Sequence, residues 1–299
     1  MKNLVSVIIP THMGAHVINN AVDSVLAQTY ENIEVIVVDD NGRGTEEQVK
    51  TAEKMELYST GSKVSYYVHE TSRHGAAARN TGINQSRGNY ISFLDDDDVF
   101  FPNNIEMHMK VLKDAGKDVA MSYCGLRLVR NGFDDETVMP VEEGDLLFHF
   151  LMSRINIGSS QIVIRKRVLE EVRGFDESFR RHQDWELIAR ILYLYKIVKV
   201  DNAGVVKFVL GRNSASSPQI YEKNRIYYLN KSKRIIDSFP PEQKKQIYNN
   251  HYYYIAKEYM KSRHIRIGLK WFFKTNRPIY FLMRFMIDGG SYALRRMKI

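Results

Sequence analysis

The chain has 299 residues, 44% of them hydrophobic and 26% charged, with one cysteine, Cys124, and a formal net charge of +8. Together with a mean hydropathy of −0.36, this supplies core for one large domain or two modest ones and excludes collagen-like, disulfide-scaffolded and broadly disordered chains. A lone cysteine also excludes an internal disulfide and a cysteine zinc site, and fits a reducing compartment. Leu4–Pro10 is a β-branched apolar run, so a buried strand. It is too short for a signal-peptide core, and export by that route is not expected. Apolar pairs at Val17/Ile18, Ala21/Val22 and Val25/Leu26 recur every four residues, which predicts a helix. Ile33–Val38 reads as a second buried strand, Gly44–Tyr58 as a helix and Val64–His69 as a strand. Gly75–Gln85 reads as a helix and Tyr90–Leu94 as another strand. Strands this continuously apolar, alternating with helices, predict an α/β fold built on a mostly parallel sheet covered on both faces.

After Pro102 the pattern is helical to about Ala115, followed by a strand at Val119–Tyr123. Residues 125–145 are charged and irregular, either a hairpin or a loop. Gln161–Arg165 reads as a strand, Asp184–Tyr195 as an amphipathic helix, and Ile197–Val200 and Val205–Leu210 as strands. Gly211–Pro218 is turn-forming, and from residue 219 onward the pattern is helical and rich in Tyr, Lys and Arg. A boundary is expected near 210–220, dividing residues 1–215 from a helical extension at 216–299.

In open α/β sheets the ligand sits beyond the carboxyl ends of the strands. The first strand ends in Pro10-Thr11-His12, the second in Asp39-Asp40-Asn41, and the strand at 90–94 in Asp95-Asp96-Asp97-Asp98. No glycine-rich dinucleotide fingerprint or P-loop follows any of them, which argues against a Rossmann dehydrogenase and a P-loop NTPase. Four successive carboxylates repel, and are costly unless solvated or neutralised. A solvated acidic turn is the bland reading of an isolated acidic run. At a strand end, beside a second acidic strand end, the run reads instead as a site for a hard divalent cation, Mg2+ or Mn2+, shared with substrate phosphate.

At these residues the sequence resembles the family 2 glycosyltransferases of the GT-A fold. The matching segments, in order, are VSVIIPTH (5–12), SVLAQTY (24–30), EVIVVDDN (34–41), RHGAAARNTGINQSRGNYISFLDDDDVFFP (73–102) and GFDESFRRHQDWELIARI (174–191). The resemblance covers about residues 1–215. It implies inverting transfer of a sugar from a nucleotide-diphosphate donor, UDP favoured, to a glycan or lipid-linked acceptor in cell-surface polysaccharide synthesis. It implies that Asp95-x-Asp97 is the DxD motif, with Asp97 the direct metal ligand and Asp95 or Asp96 at the ribose or metal shell. Asp40, with Asp39 beside it, then accepts from the uracil N–H, while Pro10 and Thr11 pass the base. His12 stands where the family often has Tyr. Arg79 resembles a base or diphosphate contact, the alternative being a helix surface arginine.

Asp184 resembles the family's general base, which removes a proton as the acceptor hydroxyl attacks in line. An Asp at that point is otherwise a helix N-cap. The family commonly shows Glu-Asp here, whereas this chain has Gln183-Asp184. His182 is an acceptor-orienting residue or a loop histidine, Trp185 a sugar-stacking ring or core, and Ser159 an acceptor-pocket residue or a turn. Arg212, in a polar loop, reads as a diphosphate clamp.

The net charge averages two unlike parts. Residues 1–202 hold 23 Lys+Arg and 30 Asp+Glu, whereas residues 203–299 hold 20 and 5. The basic part interleaves Tyr252–Tyr254, Trp271–Phe273 and Ile279–Ile287 with Lys257, Lys261, Lys270, Lys274, Arg277 and Arg284. Aromatic and basic residues on helices too short to span predict peripheral binding to an anionic membrane, on the cytoplasmic face of the plasma membrane. The alternative is an ordinary helical subdomain whose aromatic stripe packs on the domain at 1–215. Nucleic acid is disfavoured because no binding motif is present and the aromatics sit among Leu, Ile and Met. A nucleotidyltransferase, or a non-catalytic anionic-membrane or nucleic-acid binder, is the competing class of function. Assembly as a homo-oligomer is left open.

Overall fold

A computed structural model of the chain describes residues 3–61, 63–130, 135–208, 217–281 and 283–287. The chain divides into two units, Met1–Leu146 with Ile157–Arg212, and Leu147–Asn156 with Asn213–Ile299.

The first unit is built on one sheet. Strands β1 (Val5–Thr11), β2 (Ile33–Asp39), β3 (Val64–Val68) and β4 (Tyr90–Phe93) alternate with helices α1 (Ile18–Leu26), α2 (Glu46–Met55) and α3 (His74–Gln85). Then follow β5 (Asp98–Phe100), α4 (Asn104–Asp114), β6 (Val119–Val129) and β7 (Glu136–Val138). Beyond α5 (Leu147–Leu151) come β8 (Ile162–Arg165), α6 (Lys166–Glu171), α7 (Gln183–Leu194) and β9 (Lys196–Phe208). The sheet order is β3-β2-β1-β4-β8-β6-β9-β5, with β7 beside β6.

The pairings β3–β2, β2–β1 and β1–β4 are parallel. Every residue of β2 is buried, as are all but Pro10 of β1, because helices cover both faces of a parallel sheet. The far half is mixed: β8 runs antiparallel to both β4 and β6, β9 lies parallel to β6, and β5 runs antiparallel to β9. Residues 126–128 pair with 136–138, so the irregular region contains a hairpin. The two strands read at 197–200 and 205–210 are one strand, β9. Its register against β6 slips at Cys124–Leu126, a bulge that carries polar Asp201 and Asn202 through the sheet.

The chain builds β1, β2 and β3 outward in one direction, then returns to lay β4 on the other edge of β1. This reversal is a topological switch point, and it sets the carboxyl ends of β1 and β4 side by side. Helix α3 seats closely on β1 because Gly82 has no side chain: a Cβ there would lie 2.3 Å from Ile8 Cγ2.

The helical unit comprises α5, α8 (Pro218–Lys231), α9 (Lys233–Asp237), α10 (Pro241–Lys261) and α11 (Ile265–Lys274). Its core gathers Tyr253, Ile255, Ala256, Tyr259, Trp271, Phe272 and Phe281. Much of the aromatic stripe therefore packs inward. Helix α5 buries Leu147, Phe150 and Leu151. Arg225 has no acceptor to offer, so it donates to His251 Nδ1 at 3.0 Å, and His251 Nε2 then donates to the Leu151 carbonyl at 2.9 Å. These bonds tie 147–156 to the C-terminal helices.

At the amino ends of β1 and β2, Glu34 is buried and its carboxylate accepts from Ser6 Oγ at 2.6 Å, Arg87 N at 2.7 Å and Arg87 Nε at 2.7 Å. Burial pushes this carboxyl up, but the hydrogen bonds outweigh it and leave it below the ordinary glutamate range. A lowered folded value means stabilisation present above that range and lost as pH falls through the folded value. Glu34→Gln is expected to cost about 2 kcal/mol at neutral pH. Urea denaturation along an acid series should show the gap between variant and wild type closing toward the lowest pH.

Candidate active site

A cavity of about 240 Å3 opens at the carboxyl ends of β1 and β4, lined by Pro10, Thr11, His12, Asp40, Gly75, Ala78, Arg79, Asp95, Asp96, Asp97 and Gln183. The strand ends bring these residues together from five separate stretches of sequence.

The four carboxylates after β4 take four different surroundings. Arg79 of α3 is buried and its NH2 donates to Asp95 Oδ1 at 2.5 Å. Lys207 of β9 sits 3.5 Å from Asp95 and 3.1 Å from Asp98. Burial pushes the Asp95 carboxyl up, yet Arg79 and Lys207 together hold it below the usual carboxylate range. Asp98 is the most buried. It accepts from Ser160 Oγ at 2.8 Å, but burial first and the Asp95 charge second push its carboxyl up to about 7. Desolvation works against the Lys207 charge, and the two carboxylates outweigh it, so Lys207 titrates above an ordinary lysine.

Asp96 turns the other way and accepts from Thr11 Oγ1 at 2.6 Å. Gly14 makes room for this bond, since a Cβ there would lie 1.9 Å from Asp96 Oδ2. Asp95, Asp97 and Asp98 can each present a carboxylate oxygen with all three within 4.8 Å of one another.

Asp39 and Asp40 are both buried and hydrogen-bonded within the protein. Asp39 accepts from Tyr66 OH at 2.6 Å and Asn41 N at 2.8 Å, and burial raises its carboxyl above the ordinary range. Asp40 meets His69 Nδ1 at 2.7 Å and accepts from Ser72 Oγ at 2.9 Å, and from Arg73 N and His74 N at 2.7 Å each. Asp40 thus holds the loop leading into α3 by that helix's amino end. It reaches the cavity wall, whereas Asp39 does not line it. His12 is exposed and its Nδ1 lies 3.1 Å from the Asp40 carbonyl.

Arg79 is a buried, paired side chain rather than a helix surface arginine. Its Nε is buried with no hydrogen-bond partner among the described residues, a donor left over at the cavity wall. Asp184 stands in the first turn of α7. His182, not Asp184, is the N-cap residue, and it adopts a left-handed conformation with φ 61°. Asp184 Oδ1 accepts from Trp185 N at 2.9 Å. Burial raises the Asp184 carboxyl, with the Arg79 charge opposing. Gly158 lies beside it: a Cβ there would come within 3.9 Å of Asp184 Oδ2.

Ser159 does not line the cavity. It is buried, with its hydroxyl 3.4 Å from Asp95 and 3.5 Å from Arg79 NH2. His182 and Trp185 also lie off the cavity wall and stack on each other at 4.3 Å, which covers one face of the indole. Arg212 lies outside the described residues. Sequence reasoning missed Lys207, and it read Asp98 only as part of the acidic run, with no partner assigned. The available signal was a lysine inside the apolar strand Val205–Phe208, in a fold that has four adjacent carboxylates to neutralise.

The Glycosyl transferase family 2 profile matches residues 6–171. An uncharacterized glycosyltransferase of Rickettsia prowazekii is 35% identical over 191 residues, 62% of this chain and 57% of that one. The UDP-Glc:alpha-D-GlcNAc-diphosphoundecaprenol beta-1,3-glucosyltransferase WfgD of Escherichia coli is 28% identical over 225 residues, 74% of this chain and 83% of that one. Among the Rickettsia relatives matched, the chain spans 30–58% of their length. The mannosyltransferase PcManGT of Pyrobaculum calidifontis, solved with GDP-Man and Mn2+, shares the fold with a TM-score of 0.61 at 17% identity, over 99% of this chain and 83% of that one.

The donor set fits a divalent cation. Three hard carboxylate oxygens converge, and hard oxygen ligands suit Mg2+ or Mn2+. Lys207 supplies positive charge to the same two carboxylates, Asp95 and Asp98. Its side chain is 40% exposed, which discounts its contribution. In chelator, Lys207→Met should therefore destabilise the protein by only about 1–2 kcal/mol. Mn2+ should raise the melting temperature of the variant more than that of the wild type. Melts in which Mn2+ shifts neither protein would remove the cation from the site.

Proposed function

Because the chain belongs to glycosyltransferase family 2, we propose that the carboxylate cavity binds a nucleotide-diphosphate sugar, UDP-linked, and that the sugar passes with inversion to a glycan or lipid-linked acceptor in polysaccharide synthesis. The observation that carries this reading is the convergence of Asp95, Asp97 and Asp98 with the buried Arg79 at the switch point of the sheet. A diphosphate needs charge neutralised on its oxygens as it leaves, and this is where the chain gathers its means of doing so. The lipid-diphosphate acceptor and UDP donor in the name of the Escherichia coli relative support the same choice of substrates.

Asp95, Asp97 and Asp98 would hold Mn2+ or Mg2+, which when bound supplies Lewis-acid stabilisation of the diphosphate. Arg79, whose Nε–H has no hydrogen-bond partner among the described residues, orients the donor from the α3 side. The cavity wall at Pro10, Thr11 and His12 takes the base. Asp40 acts on the base through the loop it anchors, since four protein groups already occupy its carboxylate. Asp184 takes the proton from the acceptor hydroxyl. Burial, which raises its carboxyl, also makes it a stronger base than an exposed aspartate once it is ionised. The acid limb of the rate profile is then expected above the range of an ordinary carboxylate.

Asp184→Asn should lose about 10²–10⁴-fold in transfer while keeping donor affinity. Transfer assays beside calorimetric titration of UDP with Mn2+ check both halves, and full activity in the variant would refute the assignment. A hydrolysis screen across nucleotide sugars identifies the donor.

We also propose that the helical unit associates peripherally with an anionic membrane at a cytoplasmic surface. No helix among the described residues is long and apolar enough to cross a bilayer. The buried part of the aromatic stripe is core, so this reading rests on what remains outside. Phe273 is 72% exposed, Ile279 75% and Ile287 69%, on a segment that also carries exposed Lys270 and Lys274. Phe273→Ser with Ile279→Ser should reduce co-sedimentation with phosphatidylglycerol vesicles by about tenfold or more, as two large apolar side chains leave the bilayer.

A further inference from the structure

The helical unit holds a second cavity of about 290 Å3, which shares no residue with the carboxylate cavity. Among the described residues its wall carries Arg154, Lys245, Arg277 and Arg284 against a single carboxylate, Glu242. Glu242 is already bonded to Lys245 at 2.8 Å. The three arginines therefore set the potential of the cavity.

Arg284 is held in place before any ligand arrives. Its NH1 donates to Asn250 Oδ1 at 3.0 Å, and its guanidinium lies over the Tyr253 ring at 4.6 Å. Asn250 is buried and locked in turn by donating to the Met152 carbonyl. The guanidinium groups of Arg154 and Arg277 make no hydrogen bond or ion pair among the described residues. The rest of the wall is uncharged, with the amides of Gln246 and Asn276, the ring of Tyr280 and the apolar side chains of Met152 and Phe281.

We infer that this cavity binds a phosphorylated sugar or polyol. Guanidinium forks match phosphate oxygens in pairs, and a pre-set Arg284 loses little freedom on binding. Side-chain amides both donate to and accept from hydroxyls, and an aromatic ring offers a flat apolar face to a sugar. The volume lies at the low end for small-molecule sites, which suits one sugar phosphate rather than a polymer. The same chemistry is found in the headgroup of an anionic phospholipid and in a free sugar phosphate. The inference goes beyond the transferase reading and does not rest on it, because no donor chemistry enters.

The test titrates glucose 1-phosphate into the full chain by calorimetry, in EDTA so that no divalent cation bridges phosphate to the carboxylates. Arg154→Gln with Arg277→Gln should weaken binding by about tenfold or more. A charge-matched pair outside the cavity, Lys223→Gln with Lys261→Gln, should leave it within about twofold. Arg284→Lys keeps the charge but loses the fork, and should also weaken the sugar phosphate. Vesicles of phosphatidylcholine with and without phosphatidylglycerol separate the sources. Loss of the phosphatidylglycerol-dependent binding in the cavity pair beyond that in the control pair assigns a lipid headgroup, and loss confined to glucose 1-phosphate assigns a soluble ligand. If neither probe responds to the cavity substitutions, or if both pairs lose equally, the inference is overturned.

Discussion

Four adjacent aspartates at the end of a buried strand are an electrostatic problem, and the first unit is arranged around its solution. Like charges this close raise one another's carboxyl values, and burial adds to the effect. The chain answers with a cation from α3, a cation from β9, and hydroxyls from Thr11 and Ser160. These partners come from widely separated parts of the sequence. The fold that brings them together is therefore also the fold that makes the acidic run tolerable.

The neutralisation is uneven. Asp95 is held ionised by Arg79 and Lys207, Asp96 is drawn off to Thr11, and Asp98 is pushed toward its neutral form. Identical side chains in successive positions thus become chemically distinct groups. A divalent cation fits this arrangement because it supplies more concentrated charge than a lysine, to ligands already gathered by the protein.

Helix α3 links the acidic strand end to the rest of the sheet. Its amino end is held by Asp40, its middle rests on β1 through Gly82, and Arg79 reaches Asp95 from the span between. The second unit obeys a different logic. There aromatic rings form the core, and cations lie over them, as Arg284 does over Tyr253 and Lys274 over Trp271 at 4.3 Å. A basic and aromatic composition at one end of a chain thus serves packing as well as surface.

The sequence by itself determined the alternation of buried strands and helices, and hence that polar residues after β1, β2 and β4 share one edge of a sheet. It could do so because period and burial are local properties: a run such as Ile33–Val38 is apolar whatever surrounds it. Asp95–Asp98 and Asp184 were legible for the same reason, as carboxylates at the ends of recognisable elements. Their partners were not. Only the tertiary structure decided that Lys207 neutralises Asp98, that Ser159 serves Asp95 rather than lining the cavity, and that Asp40 spends its carboxylate on the start of α3. It also decided which half of the aromatic stripe is core. A hydrogen bond or an ion pair depends on distance across the fold, and no spacing along the chain carries that distance.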